Sequence, residues 1–130
     1  IGLGEDDHVV SMTIVVPDGS LLTVCENGYG KITEFGSYRT QKRGGKGLID
    51  IRTTERNGSV VSARTLSGDR DAMMMTSNGM LVRISLKDVR PIGRNTQGVR
   101  LIRVKDGDKV IGLELVDATD GQEEVNPPSE

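Results

Sequence analysis

The sequence has 130 residues, 35% hydrophobic and 28% charged, with a formal net charge of −2 at pH 7 and a single cysteine. This length is normally one domain, and one cysteine excludes an intrachain disulfide. No apolar run is long enough to span a bilayer, and no charged and then apolar leader is present, so we expect a cytoplasmic protein.

Charge is unevenly distributed along the chain. Residues 1–30 have five acidic and no basic side chains, residues 31–103 have fifteen basic and six acidic, and residues 104–130 have two basic and eight acidic. A basic middle segment between acidic ends is typical of a protein that binds a polyanion. The alternative is an ordinary solvated surface.

The chain contains an internal repeat with a spacing of 51 residues. Displacement by that spacing aligns residues 9–11 with 60–62, 27–28 with 78–79, and 43–47 with 94–98. A spacing near 50 is typical of propeller blades. We therefore predict a first blade at residues 1–58, which includes a start fragment at 1–8, and a second blade with a closing strand at residues 59–116.

Short apolar runs rich in Val, Ile and Thr, separated by turn residues, predict strands throughout both units. The predicted strands are residues 9–16, 21–26, 29–35, 47–53, 60–66, 72–76, 80–85, 98–104 and 110–116. The Asn27-Gly28 pair predicts a type I′ hairpin turn. The predicted fold class is all-β, with two four-stranded propeller-like repeats and almost no helix. Residues 117–130, rich in Asp, Glu, Asn and Pro, predict a disordered acidic tail.

The long loop of each unit contains the candidate binding residues. The first includes residues 41–47, QKRGGKG, with three cations and three glycines. Cations neutralise phosphates, and glycine lets the backbone approach them, although these glycines also fit a simple tight turn. The candidate residues are Arg39, Gln41, Lys42, Arg43, Gly44, Gly45, Lys46 and Gly47 in the first loop, and Arg90 and Arg94 in the second.

Several other functions are disfavoured by the residues present. The glycine spacing of a nucleotide-binding P-loop and its following Ser or Thr are absent from QKRGGKG. His8 is the only histidine, so no Ser-His-Asp arrangement is available, and we predict no catalytic residue and no metal site. Few aromatic residues are present to stack on bases, which disfavours a single-strand or RNA-loop binder.

QKRGGKG resembles the signature QRRGGKG of the C-terminal DNA-wrapping domain of the DNA gyrase A subunit. Three further segments are similar to that domain: residues 26–31, 54–58 and 93–99. The resemblance covers residues 1–116 and implies the last two blades of a six-bladed β-pinwheel, a propeller-like disc whose blades exchange an outer strand. Lys42 stands in place of the signature's arginine, which keeps the charge and loses bidentate geometry. The C-terminal domain of the topoisomerase IV A subunit is an alternative.

The resemblance implies a non-catalytic segment of a type II topoisomerase. It would bend duplex DNA around a basic rim and so support ATP-dependent negative supercoiling. The implied partners are double-stranded DNA, the rest of the gyrase A subunit and the gyrase B subunit, with no membrane. The segment itself needs no cofactor, because ATP and Mg belong to the holoenzyme.

Two further expectations concern association. Two blades do not close a ring, so either further blades lie upstream in the native protein, which we favour, or copies of this chain associate; some self-association of the chain is expected. An alternative of another class is a β-propeller protein-interaction module whose basic loops bind an acidic protein.

Overall fold

The structure is a computed structural model that describes residues 4–5, 8–16, 18–38, 47–87, 89–94 and 96–118. Its strands are β1 (Ser20–Cys25), β2 (Tyr29–Glu34), β3 (Val60–Leu66), β4 (Arg70–Thr76), β5 (Leu81–Ser85), β6 (Val99–Arg100) and β7 (Val110–Asp117). A 3-10 turn at Phe35–Ser37 is the only helical element in these ranges. The predicted all-β fold is confirmed. Asp117, predicted as the first tail residue, ends β7, and residues 119–130 of the predicted tail lie outside the described residues.

The strands form two antiparallel sheets, in the orders β3-β1-β2-β6 and β5-β4-β7. Displacement by one repeat maps β1, β2 and β3 onto β4, β5 and β7. The first sheet thus takes β3 and β6 from the second repeat, so consecutive repeats share strands. Each sheet therefore does not correspond to one sequence repeat. For this reason the predicted unit boundary between residues 58 and 59 stays a prediction.

Some predicted strands are wrong. Residues 9–16 and 47–53 form no strand, and the predicted strand at 98–104 is reduced to Val99–Arg100. The second sheet has three strands rather than four among the described residues. An apolar β-branched run favours extended backbone, but a strand also needs backbone hydrogen bonds to a neighbouring strand, and residues 9–16 and 47–53 form no such ladder. The position one repeat after β6 lies beyond residue 130.

Residues 9–16 lie beside β3 and contact it through side chains. Ser11 Oγ donates to Ala63 O at 3.0 Å, and the hydroxyls of Thr13 and Thr65 are 2.9 Å apart. Apolar side chains of this segment are largely exposed, with Met12 85% exposed. Residues 9–16 therefore have a strand-like sequence but do not pair with β3 as a strand.

The predicted hairpin at Asn27 and Gly28 is confirmed, but the predicted turn type is wrong. Gly28 N donates to Cys25 O at 3.1 Å, and β1 and β2 pair on either side. Gly28 has φ of 90°, whereas φ of Asn27 is not positive. A type I′ turn needs positive φ at both central residues. The chain instead makes a type I turn followed by a left-handed glycine.

One apolar core joins the two sheets. It is aliphatic with one methionine, and its buried members are Leu22, Val24, Ile32, Ala72, Met74, Leu86, Ile102, Val110 and Leu113. Both repeats contribute members, so neither repeat buries this core alone.

Lys31, in the middle of β2, is a fully buried cation. Its ammonium donates to Gly93 O at 2.8 Å and to the carbonyl oxygens of Asp50 and Arg94, and Thr96 Oγ1 lies 3.4 Å away. An ammonium has three N–H groups, and the three carbonyls satisfy them. Lys31 thus connects β2 to the chain just after the first loop and to the second loop.

The Asp50 carboxylate belongs to the same cluster. It accepts from Thr23 Oγ1 at 2.5 Å and from the Tyr38 hydroxyl. Burial lowers the pKa of Lys31, and the Asp50 charge opposes that shift. We call Lys31, Asp50, Tyr38 and Thr23 the Lys31 cluster.

We expect Lys31→Met to destabilise the chain strongly. The change leaves three carbonyls without their donor, and each buried unpaired polar group costs about 1–3 kcal/mol, so a loss of about 3 kcal/mol in the free energy of unfolding is expected. Urea denaturation measures it. The matched control is Lys105→Met at an exposed lysine, with an expected change within about 0.5 kcal/mol. Equal stability of the two variants would contradict the assignment.

We also expect an alkaline loss of stability that depends on Cys25. Burial above all, and then the charges of Asp50 and Glu26, raises the pKa of this thiol from 9.0 to about 11. Its folded pKa exceeds its unfolded pKa, so the unfolded thiol ionises first. Its contribution to the free energy of unfolding is complete below about pH 9 and decreases by up to about 3 kcal/mol as the pH rises to about 11.

Cys25→Ala removes this ionisation and should give a flatter stability curve over that pH range. Urea denaturation at several alkaline pH values gives the slope of the free energy of unfolding against pH for each protein. A loss of stability that is the same at every pH, caused by the smaller side chain, does not change this slope. Parallel curves for the two proteins would rule out the thiol as the cause.

Candidate nucleic-acid interface

The structure describes three of the ten sequence-predicted binding residues: Gly47, Arg90 and Arg94. The other seven lie outside the described residues: Arg39, Gln41, Lys42, Arg43, Gly44, Gly45 and Lys46. Their roles stay predictions. The chain on both sides of this loop is described, so the geometry that positions the loop is visible.

Arg94, in the second loop, contacts both ends of the first loop. Its Nε donates to Ser37 O and its Nη1 to Ile49 O, each at 2.8 Å. Its guanidinium carbon lies 5.7 Å from the centroid of the Tyr38 ring. Ser37 precedes the loop and Ile49 follows it, so one side chain fixes the spacing of the two ends. A direct phosphate contact by Arg94, using its remaining N–H groups, stays a prediction.

Tyr38 adds a second fixed point at the start of the loop. Its hydroxyl donates to Asp50 Oδ1. Burial, and next this hydrogen bond, raises the pKa of Tyr38 far above its usual value, so the hydroxyl keeps its proton. Sequence reasoning missed Lys31, Tyr38 and Asp50, although a lysine beside isoleucine in the middle of a predicted strand was an available signal.

Gly47 and Gly98 occupy equivalent positions in the two repeats, at the end of each loop. Both have positive φ, 94° and 79°. A Cβ on Gly98 would lie 2.6 Å from Gly30 O, so a side chain there would collide with β2. Glycine at this position is therefore required by backbone geometry, whether or not a ligand is bound.

The ion-paired arginines of the described residues lie on strands. Arg64 bonds Glu114 at 3.0 Å, Arg70 bonds Asp117 at 2.8 Å and Arg83 bonds Asp71 at 2.9 Å. Apart from the buried Lys31 of β2, these cations have no carboxylate partner in the described ranges and lie in loops or, for Arg100, at the end of β6: Arg56, Lys87, Arg90, Arg94, Arg100, Arg103 and Lys105. Positive charge is thus left uncompensated mainly at the loops, which suits a polyanion.

Arg90 is the simplest of the predicted contacts. It is exposed and makes no hydrogen bond or ion pair with any described residue. Its five N–H groups are available to a ligand.

Metal ions and membranes are two other possible kinds of partner. No group of three or more His, Cys, Asp and Glu residues in the described ranges is placed to hold a metal ion. None of the helices in that part of the chain is long and apolar enough to cross a membrane.

The chain is similar to known proteins over most of its length. It matches the family model described as DNA gyrase C-terminal domain, beta-propeller, at residues 19–67 and 70–117. The DNA gyrase A subunit of Escherichia coli is 47% identical over 116 residues, which are 89% of this chain and 13% of that protein. The DNA gyrase A subunit of Chlamydia pneumoniae is 40% identical over 126 residues, 97% of this chain and 15% of that protein. The chain thus spans about a seventh of these relatives.

Solved structures agree with the fold. A DNA gyrase A C-terminal domain has a TM-score of 0.69 at 25% identity and covers 76% of this chain and 34% of its own. The C-terminal domain of DNA topoisomerase IV has a TM-score of 0.80, with 89% and 36% coverage, but its 19% identity shows the fold alone. The family match and the 40–47% identities confirm the resemblance seen in the sequence. The chain belongs to the DNA gyrase C-terminal domain family.

Proposed function

We propose that this chain binds duplex DNA along its loop edge and bends it, as a DNA-wrapping segment of a gyrase A subunit. The observation that carries the proposal is the contact of Arg94 with both ends of the QKRGGKG loop. It fixes the described residues on either side of that loop and places them near other cations that have no carboxylate partner among the described residues. Membership of the gyrase family supports DNA as the polyanion.

The energy of this binding is electrostatic. Lys42, Arg43 and Lys46 of the first loop, with Arg90 of the second, would neutralise phosphates and release counterions. Bending 20–30 base pairs by 40–90° costs about 1–6 kcal/mol, so several such contacts are needed to hold the curve. Phosphate contacts position a duplex without reading its sequence, so little base specificity is expected.

The proposal extends to the parent protein. The segment does no bond chemistry, and cleavage, ATP hydrolysis and Mg binding occur elsewhere in a cytoplasmic type II topoisomerase that supercoils DNA negatively. Its partners are double-stranded DNA, the rest of the gyrase A subunit and the gyrase B subunit. The isolated chain is proposed to self-associate through strand edges that neighbouring blades would otherwise cover.

We expect the triple change Lys42→Ala, Arg43→Ala and Lys46→Ala to weaken DNA binding and to flatten its dependence on salt. Each lost phosphate contact should reduce the slope of log K against log salt by about 0.9. Fluorescence anisotropy with a labelled duplex at several salt concentrations measures the slope.

The matched control is the double change Arg64→Gln and Arg70→Gln, which removes cations already paired with Glu114 and Asp117. Its slope should stay near that of the unchanged chain. Equal slopes for the triple variant and the unchanged chain would argue against the loop as the contact.

We expect affinity to increase with DNA length up to the contour of one wrap. A longer duplex gains further phosphate contacts only if it follows the edge of the fold. Gel shifts with duplexes of increasing length, at fixed salt, measure this. Weak binding that does not depend on length would instead support the protein-interaction module.

A further inference from the structure

Two arginines outside the predicted sites share one aromatic ring. Tyr29 is 9% exposed, begins β2 and pairs with Arg100 of β6. Arg100 Nη2 donates to Tyr29 Oη at 2.8 Å, and its guanidinium carbon is 5.3 Å from the ring centroid. The guanidinium carbon of Arg56 is 4.5 Å from the same centroid. Both guanidinium carbons therefore lie within 5.3 Å of the centroid of the Tyr29 ring.

Neither charge is compensated by a carboxylate in the described part of the chain. Glu26, on the turn just before Tyr29, accepts from Ser59 N at 3.1 Å and lies 3.9 Å from Lys109. Arg56 Nη2 donates to Gly98 O at 3.2 Å. Each guanidinium has five N–H groups, so most remain available.

The surroundings of Arg56 and Arg100 differ from those of the arginines on β3, β4 and β5. Arg64, Arg70 and Arg83 each have a carboxylate within 3.0 Å. Two like charges near one ring repel each other, and an anion bound between or beside them would relieve that repulsion. The cation–π contacts, worth about 0.5–1 kcal/mol each at exposed sites, orient both guanidinium groups before any ligand arrives.

The ligand that fits is a phosphodiester. A guanidinium presents paired N–H groups that match two oxygens of a phosphate. Arg56 is bonded to Gly98, which directly follows the second loop, and Arg94 of that loop contacts both ends of the first. The two arginines are thus connected, through one short segment, to the proposed DNA-binding edge.

We propose that Arg56 and Arg100, oriented by Tyr29, form a second phosphate-binding point for the same duplex. The proposal rests on the proposed function. It extends the DNA path from Arg94 past Gly98 to the junction of β2 and β6.

The test uses Arg56→Gln, Arg100→Gln and the double variant, in salt titrations of duplex binding by anisotropy. The salt slope should decrease by about 0.9 for each single change and by about twice that for the double. Arg70→Gln is the matched control, because Arg70 is already paired with Asp117, and its slope should not change. Arg100→Lys keeps the charge and should keep the slope while the affinity decreases.

The outcomes separate this inference from the proposed function. Unchanged slopes in the glutamine variants, with a flatter slope in the Lys42, Arg43 and Lys46 variant, would overturn the second point and leave the proposed function standing. Unchanged slopes in all of these variants would overturn both. Lower thermal stability of the glutamine variants, with an unchanged salt slope, would mean that the two arginines only stabilise the fold by packing on Tyr29. That result would also overturn the inference.

Discussion

The geometry of the loop edge depends on one buried charge. Removing an ammonium from water costs several kcal/mol unless hydrogen bonds replace the lost hydration. For Lys31 those bonds come from the carbonyls of Asp50, Gly93 and Arg94, which belong to two separate segments of chain. Neither segment can leave β2 without breaking hydrogen bonds of this buried ammonium. A cation in a strand therefore fixes the chain just after the first loop and part of the second loop against β2.

The edge is a product of two consecutive repeats. β3 and β6 of the second repeat pair with β1 and β2 of the first, and Arg94 of the second loop contacts both ends of the first loop. A single repeat would lack the strands that complete its sheet and the side chain that fixes its loop. This mutual dependence is the physical reason why arrays of this kind are built from several units.

Paired and unpaired charges lie in different parts of the described chain. The net charge is −2, yet Asp71, Glu114 and Asp117 pair with arginines on strands. The loop cations Arg56, Lys87, Arg90, Arg94, Arg103 and Lys105 have no carboxylate partner among the described residues. Screening shortens the reach of exposed charges to about 10 Å at 0.1 M salt, so a phosphate near the loops would respond mainly to the local cations. A slightly acidic protein can therefore present a basic edge.

Local patterns were enough to establish the all-β class, the 51-residue repeat, the hairpin at Asn27 and Gly28 and the cationic glycine-rich loop, because alternation, turn residues and spacing are properties of short segments. Tertiary contacts decided the rest. Whether residues 9–16 form a strand depends on backbone hydrogen bonds to the neighbouring β3, and strand exchange depends on how repeats pack. The burial of Lys31 and the contacts of Arg94 arise between residues 19 to 63 positions apart, a distance at which a sequence pattern carries no geometric information.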